Sequence, residues 1–136
     1  MNINWKPTYI PGDLVYNHKG EVIRITSSYL KGTRLFYYKT DEIGESTGCI
    51  LEEELKPIPL TPEILEKNGW KKKMYCDWCH YLPIEGNILY LSKGIGIDGA
   101  FSVGVGQGMS YIASISFVHQ LQHLLFGLGL NSEMEV

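Results

Sequence analysis

With 12 basic and 15 acidic side chains, the 136-residue chain has a formal net charge of −3. That excludes a surface built broadly to neutralise phosphate, because non-specific nucleic-acid affinity comes from Lys and Arg. The length allows one domain or two very small ones, and the three Cys, with no apolar leader in Met1–Pro7, read as cytoplasmic thiols and not as a disulfide framework.

Fifteen Gly and nine Tyr favour a β-rich fold with many turns. Pro11-Gly12-Asp13 opens a first strand at Leu14-Val15-Tyr16, and Asn17-His18-Lys19-Gly20 is a turn. Glu21 to Thr26 is a second strand, with Val22, Arg24 and Thr26 on one face and Ile23 and Ile25 on the other. Lys31-Gly32-Thr33 turns into a third strand, Arg34 to Lys39, and Asp41 to Ser46 is a polar loop. Thr47 to Leu51 is a fourth strand, Glu52-Glu53-Glu54 one helical turn, and Leu55 to Ile58 a last strand that Pro57 and Pro59 confine to an edge. Five short strands in under sixty residues suggest a small, strongly bent barrel. Gly12-Asp13-x-Val15 followed by Gly20-Glu21-Val22-Ile23-x-Ile25 resembles SH3-like barrels of the small bacterial type; that fold alone implies no function.

Leu60 to Trp70 carries its own helix punctuation. Thr61 is placed to cap, Pro62 to sit at the first helical position, Glu63 at the positive end of the dipole and Lys67 on the last turn, with Gly69 as the stop. After Lys71-Lys72-Lys73, strands are expected at Met74–Tyr81, Ile88–Ser92, Phe101–Val105 and Met109–Ser114, with Pro83 to Asn87 as a turn and Gly-rich links between the later strands. Phe117 to Leu128 has helical period, with Phe117, Leu121, Leu124, Leu125 and Leu128 on one stripe. Asn131 to Val136 is a polar tail or a short final strand. From Leu82 to Ser132 the only charged residues are Glu85, Lys93 and Asp98, so this half is a buried sheet and helix or covers itself as a homo-oligomer. The most apolar stretch, Tyr111 to Leu130, is broken by His119, Gln120, Gln122 and His123 and is too polar to span a membrane.

Two motifs invite chemical readings. Cys76-x-x-Cys79-His80 has the form of a haem-attachment or thiol-redox motif, yet the first needs export and the second a helix after the CxxC. Cys76 and Cys79 with His119 and His123 supply the ligand types of structural zinc, but a straight strand over Met74–Tyr81 puts the two thiols on opposite faces. Gly94-x-Gly96-x-x-Gly99 precedes a strand where a dinucleotide site needs a helix, so it reads as loop glycine. Cys49, Ser110 and Ser116 are available nucleophiles and His18, His80, His119 and His123 available bases, with no spacing that joins them. Lys71, Lys72 and Lys73, with Trp70, Tyr75 and Trp78 nearby, can hold a nucleic-acid strand or simply form a solvated turn.

Glu54 to Trp70, centred on Leu-Thr-Pro-Glu-Ile-Leu-Glu-Lys-Asn-Gly-Trp, and Phe117-Val118-His119-Gln120-Leu121-Gln122-His123-Leu124 resemble the two signatures of an uncharacterised family of small hypothetical proteins from gut Bacteroidales and their phages or mobile elements. The resemblance implies no activity, cofactor or catalytic residue. In that family the position of His123 is usually a small amide residue, and no cysteine pair is fixed near Cys76.

The expected architecture is α+β: an SH3-like barrel over residues 1–59, then over residues 60–136 a linking helix and an antiparallel sheet carrying one helix, the halves packed as one unit. The leading expectation for function is a non-enzymatic accessory or interaction protein with a protein partner and no cofactor. A nucleic-acid-binding module and a zinc or redox protein are the alternatives.

Overall fold

The computed structural model describes residues 9–31, 33–39, 47–74, 76, 79–93, 100–106 and 110–136. They form an α+β fold of two five-stranded antiparallel sheets and two α-helices. The first sheet contains β1 (Leu14–Tyr16), β2 (Val22–Lys31), β3 (Thr33–Lys39), β4 (Thr47–Leu51) and β5 (Lys56–Pro57), in the order β4-β3-β2-β1-β5. Alternation in β2 falls as expected: Ile23 and Ile25 are buried and Thr26 is exposed. A register shift between Ile25 and Ser27 lets β2 run on to Lys31 against β3, five residues beyond the expected end. A 3-10 turn at Glu52–Glu54 returns the chain so that β5 pairs with β1 at the sheet edge, where proline is tolerated. The expected loop Asp41–Ser46 and the glycine of the Lys31–Thr33 turn lie outside the described residues.

Helix α1 spans Pro62–Lys67 and is capped as its sequence dictates. Thr61 Oγ1 accepts from the Ile64 amide at 3.2 Å. Gly69, at φ +88°, allows the Trp70 amide to return to the Leu65 carbonyl and so ends the helix.

The second sheet runs β10-β9-β8-β7-β6, from β6 (Lys71–Lys72), β7 (Cys79–Ile84), β8 (Asn87–Lys93), β9 (Phe101–Val105) and β10 (Ser110–Ile115). The expected strand from Met74 is displaced. Lys71 and Lys72 are themselves the strand, the Cys76 and Cys79 amides bond to the Lys73 and Cys76 carbonyls at 3.1 and 3.4 Å, and Cys76 precedes β7 while Cys79 opens it. Pro83, expected in a turn, pairs with Ile88 inside β7. It is tolerated there because β6 opposes only His80 and Tyr81, which leaves the rest of β7 an edge among the described strands. The reversal itself is the two-residue turn Glu85–Gly86, with Gly86 at φ +73°.

Helix α2 (Val118–Gly127) starts where Gln120 Oε1 accepts from the Ser116 and Phe117 amides at 2.7 and 3.1 Å. Its buried side chains are Val118, His119, Leu121, Gln122 and Leu125. The expected stripe is therefore shifted. Phe117 precedes the helix, Leu128 lies past its end, and Leu124 is only half-buried. A wider face is covered because α2 packs on β1 as well as on the core of the second sheet.

Two apolar clusters result. Tyr9, Val15, Ile23, Ile25, Phe36, Ile50 and Leu55 fill the first sheet. Leu14, Ile58, Leu60, Leu65 and Trp70 join residues of β8, β9, β10 and α2 in the larger one. Adjacent residues of β1 thus feed different cores, Val15 one and Leu14 the other, as the strand period requires. The C-terminal segment is neither a strand nor a free tail. Met134 is buried, and Asn68 exchanges hydrogen bonds with the Glu135 backbone at 2.7 and 2.8 Å.

Gln122 joins the halves through polar atoms. Its Oε1 accepts from the Leu14 amide at 2.9 Å, and its Nε2 donates to the carbonyls of Gly12 at 2.9 Å and Ser132 at 3.2 Å. Gln122→Ala removes all three and strands a buried amide, and is expected to cost about 1–3 kcal/mol of unfolding free energy in urea titration.

Candidate functional site

A group of titratable side chains, Tyr9, Asp13, His119 and His123, lies where α2 meets the first sheet. Asp13, at the entry to β1, is buried. Its carboxylate accepts from the Ile10 amide at 2.8 Å and is bonded to His123 Nε2 through both oxygens, at 2.9 and 2.8 Å. His119, one helical turn before His123, points into the same seam. Its ring meets Tyr9 edge-on at 4.9 Å between centroids, stacks near Phe117 at 5.9 Å and meets His123 edge-on at 5.6 Å. Neither ring nitrogen of His119 has a hydrogen-bond partner among the described residues.

Burial sets the protonation states here. The Asp13 carboxyl is raised by burial, with the Ile10 amide and His123 pulling the other way. Tyr9 is raised by burial and by Glu52 and Asp13. His119 is lowered to about 4, by burial first and by His123 second, so it is neutral at physiological pH. A carboxylate that orients an imidazole is half of a general-base arrangement. The other half is missing. No hydroxyl or thiol is hydrogen-bonded to His119 or His123 among the described residues.

The zinc ligand set is not assembled. His119 is enclosed by rings, His123 is bound to Asp13, Cys79 is buried with its sulfur 3.6 Å from Ser92 Oγ, and Cys76 is half-buried ahead of β7. Among the described residues no group of three or more His, Cys, Asp or Glu is arranged to hold a metal ion. Because Cys76 precedes β7 and only Cys79 belongs to it, the opposite-faces argument against a shared ion does not apply to them. Their partners set the two groups apart: Cys79 lies in β7 beside Ser92, whereas the histidines face Tyr9 and Asp13. His80 is buried with both nitrogens unpartnered among the described residues, and Glu66 Oε2 is 3.8 Å away, beyond hydrogen-bond reach. The glycine motif 94–99 lies outside the described residues.

Lys71, Lys72 and Lys73 are exposed, as a binding patch requires. Trp70 is not available to it, being buried in the larger core, and Tyr75 and Trp78 lie outside the described residues. The aromatic residues that do accompany the lysines are Tyr81, Tyr90 and Tyr111, which sequence spacing did not connect because three strands supply them. Lys73 Nζ stands 5.4 Å from the centre of the Tyr90 ring. A separate groove of about 400 Å³ lies among Trp70, Leu82, Leu125, Leu130 and Met134, with Glu85 and Glu133 as its carboxylates. It holds no histidine, cysteine or lysine and so no acid–base pair beyond the two exposed acids.

The His119 environment has a measurable consequence. Its folded pKa lies below the ordinary 6.5, so below that pH the unfolded chain takes up a proton that the folded one refuses. The stability is present above about pH 6.5 and lost as pH falls towards 4, by up to about 3 kcal/mol. Unfolding free energies measured across this range should show that slope, and His119→Phe, which keeps a ring against Tyr9, should flatten it.

No helix among the described residues is long and apolar enough to cross a membrane. Comparison with protein-family models, with curated proteins and with solved structures found no match to this chain.

Proposed function

We propose that the protein is a non-enzymatic accessory or interaction protein of the cytoplasm, in which an SH3-like barrel is fused to a second sheet that displays contact surfaces. The strand order β4-β3-β2-β1-β5, with a 3-10 turn before the strand that returns to β1, supports the barrel reading. The Leu60–Trp70 and Phe117–Leu124 resemblances support a role in a phage or mobile element.

One observation carries the interaction reading. Phe126 is 70% exposed although it continues the side of α2 on which His119 and Gln122 are covered by the first sheet. The cover ends before it, and Leu128 beside it is also in solvent. An unbranched run of helix that leaves a large aromatic residue bare past the end of its own packing is suited to a further partner, protein or second copy.

Affinity capture from the native host, together with light scattering of the purified protein, tests this. Wild type is expected to recover a defined protein partner or to self-associate, and Phe126→Ser to lose that association by at least tenfold while unfolding at the same temperature. A monomer that recovers no specific partner, or one whose partner is indifferent to Phe126→Ser, overturns it.

A further inference from the structure

The two faces of the second sheet differ in chemistry. Leu89, Leu91, Phe101, Val103 and Ile115 point inward to the core. The opposite face carries Lys71, Tyr81, Tyr90, Gly104 and Tyr111 in one row. Register sets Lys71 against Tyr81, Tyr81 against Tyr90, Tyr90 against Gly104 and Gly104 against Tyr111. Lys73 continues that face, its amide bonded to the Cys79 carbonyl at 2.8 Å. At a strand spacing of about 4.8 Å the row is about 19 Å long. Gly104 has no side chain and is buried, so the row of rings is interrupted between the half-buried Tyr90 and the exposed Tyr111. Tyr111 is 65% exposed, with its hydroxyl 2.8 Å from Ser114 Oγ.

Charge on this sheet runs against the chain as a whole. None of its five strands contains Asp or Glu, whereas the whole chain is net negative. A row of rings that begins at two lysines and meets no carboxylate along its strands suits a ligand that alternates flat apolar rings with negative charge.

We propose that this face binds single-stranded nucleic acid, with bases stacked on Tyr111, Tyr90 and Tyr81 and phosphates held by Lys71 and Lys73. Lys73, which shields the Tyr90 ring in the unliganded protein, moves to phosphate as a base replaces it. An acidic peptide would use the lysines but not the rings, which is why the rings decide between the two. The proposal rests on the reading of the protein as a binding module, but it uses a different surface from Phe126.

Fluorescence anisotropy with labelled oligouridylate and oligothymidylate of about 16 nucleotides, at about 50 mM salt, is the test. Wild type is expected to bind, with a log–log salt slope of about −1.4 for two lysine–phosphate contacts. Lys71→Glu with Lys73→Glu should weaken binding at least tenfold and bring the slope towards zero. Tyr111→Ala should weaken it about 5- to 150-fold with the slope unchanged, since each base stack is worth about 1–3 kcal/mol. Both sets of side chains are exposed, so unfolding temperatures should not move. Absence of binding by wild type overturns the proposal, and so does binding that polyglutamate displaces and Tyr111→Ala leaves intact, which marks a charge-only site. Either failure leaves the Phe126 reading to its own experiment.

Discussion

The carboxamide of Gln122 is the constraint on which the arrangement of the two halves depends. Apolar contact between Leu14 and the larger core is non-directional and would tolerate sliding of α2 along β1. Three hydrogen bonds from one buried side chain, to Gly12, Leu14 and Ser132, do not. The bond from the Leu14 amide is buried and the other two are part-buried, so a slip leaves at least one donor and its acceptor unpaired away from water, at a cost larger than the bond's own net worth. The Asp13–His123 pair lies one helical position further on and fixes the same register from the surface side.

This seam also accounts for the fate of the reactive side chains. Histidines at i and i+4 point the same way from a helix, the arrangement used for metal or acid–base work. Here the helix is turned so that one imidazole is sealed among Tyr9 and Phe117 and the other is bound to Asp13. The neutral His119, whose ring nitrogens have no hydrogen-bond partner among the described residues, lowers stability on acidification, a liability accepted where the ring fills space between two cores. With these groups engaged inside, the distinctive chemistry of the surface is what the second sheet and the end of α2 leave uncovered.

Local signals were legible where they act within a few residues. Thr61, Pro62 and Gly69 bound α1 because caps and stops depend on neighbouring backbone groups. The alternation of Ile23 and Ile25 was readable because one face of β2 is buried. The start of β7 was not. The aromatic residues of Tyr75 to Tyr81 favour a strand in sequence, and only the pairing of Lys71 and Lys72 with Tyr81 and His80 shows that β7 starts at Cys79. Trp70, close in sequence to three lysines, was expected near them in a stacking role, yet it belongs to the core because the Gly69 stop turns it inward beneath α1.

By itself the sequence determined the class of the fold, the punctuation of α1, the helical period of α2 and the scarcity of charge after Leu82, all of which follow from local backbone preference and composition. The tertiary structure decided which face of α2 is covered, what His119 and His123 touch, and that Lys71, Tyr81, Tyr90 and Tyr111 stand in one row. Those outcomes depend on strand register and on contacts between residues as far apart as Asp13 and His123. Register is set by the sum of many pairings across the sheet, and no short window of sequence contains that sum.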